Sequence, residues 1–228
     1  LKGADNEERL GPLRVTQAGY VAPETMFRNF MLTFGLAALV GLYLVYRGGW
    51  PIVLIGTLSI ISGVLYTGGS KPYGYMGLGD VFVFIFFGII AVPGTYYLQT
   101  DIVSIPSVLC GFSCGALSTA LIVVNNLRDI ENDRESGKIT LAVKFGPVFA
   151  CWEYALMNAL AYIVIFILIL FFDFGMGLYL VLFLLPLAYN LSSKIFSKVG
   201  ADLNQFIGYT SRHSFLYSVL LSLAFILQ

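Results

Sequence analysis

Asn125, Asp129 and Asp133 stand four residues apart in the stretch VVNNLRDIENDRESGKIT, residues 123 to 140. On a helix such a row falls on one face, with neighbouring Cβ atoms about 6 Å apart. Two carboxylates held that close repel, so the row calls for a cation between them. Hard divalent ions take carboxylate and amide oxygens, and Mg²⁺ usually accepts one or two carboxylates while leaving other positions to water and phosphate. Arg128, Arg134 and Lys138 are interleaved with the acids and can meet phosphate oxygens, arginine as a fork and lysine as a point charge. The residue types therefore predict a Mg²⁺–phosphate site. The competing reading is a solvated loop whose charges make incidental i, i+4 pairs.

The elements that must position this row follow from composition. Hydrophobic residues make up 58% of the 228 and charged residues 11%, with a mean hydropathy of +0.83; soluble domains carry roughly 25% charge. The chain reads as a polytopic membrane protein. Apolar runs near the length of about 20 residues that a bilayer requires occupy 26–46, 50–66, 80–98, 102–124, 148–172 and 174–191, with a shorter seventh at 213–227. They lack the alternation of barrel strands, so the expectation is an all-α bundle of about seven membrane helices. The row 125–133 then sits where the fourth span leaves the membrane.

Alternating seven helices puts twelve of the thirteen lysines and arginines on one face and leaves only Arg47 on the other. The positive-inside rule makes that face cytoplasmic, in the plasma or inner membrane of a cell. Loops 1–25, 67–79, 125–147 and 192–212 share it, and the short loops carrying Asp101 and Asp173 lie opposite. The charges sort by membrane face and form no nucleic-acid patch. Two further loops on the charged side offer chemistry. Residues 1–19 hold Asp5, Glu7 and Glu8 for a second metal, with Arg9 and Arg14 for phosphate. Residues 66–80, YTGGSKPYGYMGLGD, combine an adaptable glycine-rich backbone with Lys71 and three tyrosines, Tyr66, Tyr73 and Tyr75, that could equally form an interfacial belt. A phosphorylated substrate with a lipid tail suits this geometry.

Other polar residues receive plainer readings. Cys110, Cys114 and Cys151 lie too deep for disulfides, and Cys110, Gly111, Ser113, Cys114, Gly115, Ala116 and Ser118 make one face of span 102–124 small, which suggests a packing seam. His213 is expected at the membrane interface beside Arg212, and Pro93 with Gly94 to bend its helix. Asp80 and Glu153, near span ends, receive no chemical role. The chain opens within a polar stretch and not on Met, which predicts an N-terminally truncated protein.

NNLRDIENDRESGKITLAVKFG (125–146) resembles the second aspartate-rich motif of the UbiA-type intramembrane prenyltransferases. GPLRVTQAG (11–19), YTGGSKPYGYMGLGD (66–80) and the run Asn125 to Asp129 are most similar to the menaquinone branch of that family. The resemblance runs through essentially the whole chain. It implies a single domain over 1–228, a bundle of nine helices around a cavity open to lipid, and transfer of a polyprenyl group from polyprenyl diphosphate to an aromatic acceptor. In that branch the acceptor is 1,4-dihydroxy-2-naphthoate, and its carboxylate is lost as the prenyl group replaces it.

By the same resemblance, Asp129 and Asp133 match the metal ligands, with Asn125 one turn earlier, and Lys138 matches a basic position after the motif. Tyr66, Thr67 and Lys71 match a stretch lying against the allylic diphosphate, so Asp129, Asp133 and Lys71 are the expected catalytic residues. Arg14, Arg128 and Arg134 join the expected diphosphate ligands. Of the first motif, Asn-Asp-x-x-Asp, only Asp5 is present to serve the metal. Two preceding helices are expected to be missing, and such a chain should be inactive alone. The nearest alternatives are other branches, with ubiquinone, tocopherol, chlorophyll or haem O precursors as products. A transporter fits poorly, because coupling residues of transporters lie near the midplane and the ionisable groups here gather at one surface.

Overall fold

The structure is a computed structural model that describes residues 10–11, 15–69, 72–172 and 174–227. Among them every regular element is helical. Helix α1 (Pro23–Gly48) turns at Gly49, whose φ of 65° suits only glycine without strain, into α2 (Trp50–Thr67). After the glycine-rich loop, α3 (Gly79–Phe84) continues through a π-helical stretch, Ile85–Ile90, into α4 (Ala91–Thr100). Helix α5 (Ile105–Arg128) opens on a capping box, in which Ser104 and Ser107 bond each other's backbone N–H. Short α6 (Ile130–Glu135) and α7 (Leu141–Phe145) lead into α8 (Pro147–Phe171). A broken return through α9 (Tyr179–Leu182) and α10 (Leu185–Lys194) reaches α11 (Asp202–Ile226).

Among the described residues, six stretches are long and apolar enough to cross a membrane: α1, α2, the α3–α4 run, α5, α8 and Met176–Ser197. Helix α11, 25 residues long, holds all but the last residue of the stretch expected as a shorter seventh span, 213–227, and is not one of these six. Its first half carries Asp202, Arg212 and His213, so length alone supports it as a span. The chain is a multi-pass membrane protein.

Helix α5 is the axis of the bundle, packing against α3, the π stretch and α4 on one side and against α8 and α11 on another. Of its apolar window 61% is buried, against none of that of α1, which touches only α2 and α4 closely. The small-residue seam lets the axis pack so tightly. A Cβ on Gly88 would strike the Gly111 carbonyl, and one on Gly115 would lie 2.7 Å from the Phe84 carbonyl. The irregularity expected at Pro93 appears one turn earlier, as the π stretch, because proline cannot donate to the preceding turn.

His213 corrects its expected interfacial place. It is fully buried between α8 and α11, with Nε2 2.7 Å from the Tyr162 hydroxyl. The helix interior holds a polar ladder around it. Tyr154 meets Thr210 at 3.1 Å, and Tyr217 and Ser113 both donate to the Ala161 carbonyl. In an apolar surrounding each of these groups needs its partner, so the ladder fixes how α8 sits against α11 and α5.

Candidate active site

The chemistry concentrates where α5 ends. Asp129 adopts φ −94° and ψ 11°, outside the helical well, and the axis breaks there. The expected unbroken row from Asn125 to Asp133 is thereby corrected. Helical hydrogen bonding nevertheless carries through the break, Asp129 N–H donating to the Asn125 carbonyl at 3.1 Å and Asp133 N–H to the Asp129 carbonyl at 2.7 Å. The break turns the Asp129 side chain onto Arg128. Nε and Nη2 of the buried guanidinium each stand 2.7 Å from a carboxylate oxygen, while Nη2 also reaches Asn125 Oδ1 at 2.7 Å and Nη1 reaches Asn204 Oδ1 at 3.0 Å. Asn204 in turn donates to the Leu10 carbonyl. Arg128, expected to bind diphosphate, thus spends its fork inside the protein.

Asp133 is handled by the end of α6. Gly137 (φ 70°) follows the helix, with Lys138 N–H bonding the Asp133 carbonyl and Gly137 N–H the Arg134 carbonyl. This is a Schellman turn. It folds Lys138 back over its own helix, so that Nζ lies 2.8 Å from Asp133 Oδ2. The sequence E-S-G-K therefore builds the lysine–aspartate contact by local rules alone. Arg134 points the other way, half-exposed and paired with Glu131 at 2.7 Å.

The glycine-rich loop docks onto this assembly. Ile139 N–H donates to the Tyr75 carbonyl at 3.0 Å, and Gly77 (φ 75°) passes so close that a Cβ would sit 3.0 Å from the Ile139 carbonyl. Asp80, buried in the first turn of α3, accepts from Asn126 Nδ2 at 3.3 Å. Tyr66, Tyr73, Phe82 and Phe86 form a chain of ring contacts with centroids 4.0 to 5.9 Å apart. They line a cavity of about 570 Å³ between α2 and α3. Tyr73 donates to the Ser62 carbonyl at 2.8 Å, and burial pushes its phenol above the ordinary value. A second cavity of about 550 Å³ lies beside α6, bordered by Asp129, Asn132, Cys151 and Lys198.

The donor set suits a hard divalent ion held partly by phosphate. Asn125, Asp129 and Asp133 supply oxygens on successive turns, and among the described residues no group of three or more His, Cys, Asp or Glu is placed to cage a metal. Mg²⁺ binds in that manner, through one or two carboxylates with substrate phosphate completing the shell. In this structure the two aspartates are paired with cations of the protein itself, Asp129 with Arg128 and Asp133 with Lys138. Tyr66 lies at the groove and Thr67 ends α2 exposed. Asp5, Arg14 and Lys71 lie outside the described residues. Sequence reasoning left Asp80, Asn126 and Asn204 without roles. The alternating pair Asn125-Asn126 carried the available signal, since adjacent residues on a helix serve different faces.

Comparison with known proteins places these features in context. The profile of the UbiA prenyltransferase family matches residues 2–205. The chain is 41% identical over 174 residues to 1,4-dihydroxy-2-naphthoate octaprenyltransferase of Escherichia coli (strain K12), covering 73% of the chain and 56% of the relative. It is 39% identical over 170 residues to the protein of that name from Mycobacterium tuberculosis (strain ATCC 25618 / H37Rv), covering 75% and 58%. It is also 31% identical over 217 residues to UbiA prenyltransferase domain-containing protein 1 of Gallus gallus, covering 91% and 64%. The chain spans between about half and two thirds of the length of these curated relatives.

Proposed function

The chain belongs to the UbiA prenyltransferase family, and from that premise we propose that it serves transfer of a polyprenyl group from polyprenyl diphosphate to 1,4-dihydroxy-2-naphthoate. The observation that carries this reading is the assembly of Asn125, Asp129, Asp133 and Lys138 at the membrane exit of α5, next to an aromatic groove between α2 and α3. The acceptor is taken from the names of the relatives at 39–42% identity.

The allylic carbon–oxygen bond breaks with its electron pair leaving on the diphosphate, and the acceptor ring supplies the pair for the new carbon–carbon bond. The ring's bond to its carboxylate then breaks, carbon dioxide leaves, and that electron pair restores the aromatic ring. Mg²⁺, held by Asp129 and Asp133 with Asn125 beside them, would supply neutralisation of the charge gathering on the leaving group. Lys138 adds a compact positive charge at the same place. Lys71, Arg14 and Arg134 complete the proposed diphosphate ligands, Arg128 orients Asp129, and Asp5 is a further proposed metal ligand. Tyr66, Tyr73, Phe82 and Phe86 present ring faces that stabilise an allylic cation, and their apolar groove keeps water from capturing it. No protein nucleophile is needed. The charged loops are proposed to face the cytoplasm at the plasma or inner membrane, where twelve of thirteen basic residues would lie.

The test supplies membranes containing a full-length version of the protein with labelled polyprenyl diphosphate, Mg²⁺ and a panel of aromatic acceptors. Prenylated dihydroxynaphthoate is expected, and chelation by EDTA should abolish it. Prenylation of 4-hydroxybenzoate but not of dihydroxynaphthoate would overturn the acceptor assignment.

A further inference from the structure

A carboxylate buried without a cation is unfavourable, and Asp80 is one. It is 3% exposed, and among the described residues no lysine or arginine pairs with it. Its carboxylate accepts a 3.3 Å bond from Asn126 and one from a backbone N–H, and the charge of Lys138 acts on it without a direct ion pair, while Thr119 Oγ1 bonds only its backbone carbonyl at 3.4 Å. Neutral donors compensate a full negative charge poorly. The same narrow gap is lined by Tyr66, Asp80, Asn126, Lys138 and Thr140. Lys138 therefore stands over two carboxylates. It is bonded to Asp133 and borders the gap that holds Asp80.

We propose that Asp80 is a positioning residue that receives Lys138 when Asp133 takes up a divalent cation and diphosphate. The inference rests on the metal and diphosphate roles proposed above. A metal ion on Asp133 repels the ammonium already bonded to Oδ2. Lys138 has a flexible four-carbon stem and must move. Without a second anion it would swing into water, away from the diphosphate. Asp80 keeps it in the gap, where its remaining protons can reach phosphate oxygens. Asp80 thus lowers the free energy of loading the site and leaves the bond-breaking step alone. The bond from Asn126, next to Asn125, holds the Asp80 carboxylate of α3 against the last turns of α5.

The test uses Mn²⁺ with inorganic pyrophosphate as the probe, titrated into the membrane-reconstituted protein and followed by electron paramagnetic resonance, so that no prenyl transfer is needed. Asp80→Asn keeps the size and the acceptor for Asn126. It should weaken joint Mn²⁺–pyrophosphate binding roughly tenfold, the usual effect of losing a partner behind a metal ligand, and Asp80→Glu should restore most of it. In a Lys138→Ala background Asp80→Asn should change binding by less than about twofold, because the two residues act through one interaction. With polyprenyl diphosphate the same variant should raise KM and spare kcat. An equal loss in both backgrounds, or binding unchanged by Asp80→Asn, overturns the inference. If the coupling is found but no aromatic acceptor is prenylated, the proposed function falls and the role of Asp80 stands.

Discussion

Arg128 grips the carboxylate of its own neighbour Asp129 through one edge of its guanidinium, Nε and Nη2, at 2.7 Å each. Two further donors go to Asn125 and Asn204, so one buried side chain ties the last turn of α5 to the start of α11. Arg128→Lys keeps the charge and loses the fork. It should cost about 1–3 kcal/mol of stability through unmade charge-assisted bonds, read as a lower melting temperature in detergent. Lysine at this position with unchanged melting would show that the fork contributes nothing.

Asp129 and Asp133 are expected to fail separately. Asp129→Asn and Asp133→Asn should each lower prenyl transfer by roughly 10²–10³-fold, the scale of losing one group that stabilises transition-state charge. Mn²⁺ affinity should fall in parallel. Transfer that survives the double substitution to alanine would remove the metal role from both.

The axis of the bundle depends on Gly88, where a side chain would meet the Gly111 carbonyl and Gly115. Gly88→Leu must push the α3–α4 run off α5, at a cost of about 1–3 kcal/mol typical of overpacking. Gly94→Ala serves as the control, since its nearest neighbour there is an ordinary 3.8 Å contact with Ile55. Melting of the two variants in one detergent compares them, and equal melting would count against the seam.

Tyr162 and His213 should show coupling. Tyr162→Phe leaves the imidazole Nε2 buried without its partner, a loss of about 1–3 kcal/mol. Replacing both, Tyr162→Phe with His213→Leu, should cost less than the two single changes added together. A double-mutant cycle on thermal stability measures the difference, and strict additivity would mean that the 2.7 Å contact carries no energy.

Much of this could be read from the chain alone because it is local. The apolar runs put α1, α2, α5 and α8 within a few residues of their observed bounds, since bilayer thickness fixes how long such runs must be. The contact of Lys138 with Asp133 is equally local, built by the turn at Gly137 over five residues. The acidic motif identified the family before any coordinates did, and the family profile bears that out.

What only the tertiary structure decided is where side chains go once distant segments meet. Nothing near Arg128 in the chain announces that one of its donors belongs to Asn204, 76 residues away, or that Asn126 reaches Asp80 across 46. His213 looked like an interfacial residue because its sequence neighbours are polar, yet its partner Tyr162 is 51 residues off and the pair is sealed inside the bundle. Hydrophobic length specifies that helices form and how far they run. Which face of each turns inward, and which polar groups must then find partners in the dry interior, is settled by packing against helices that lie far away in sequence.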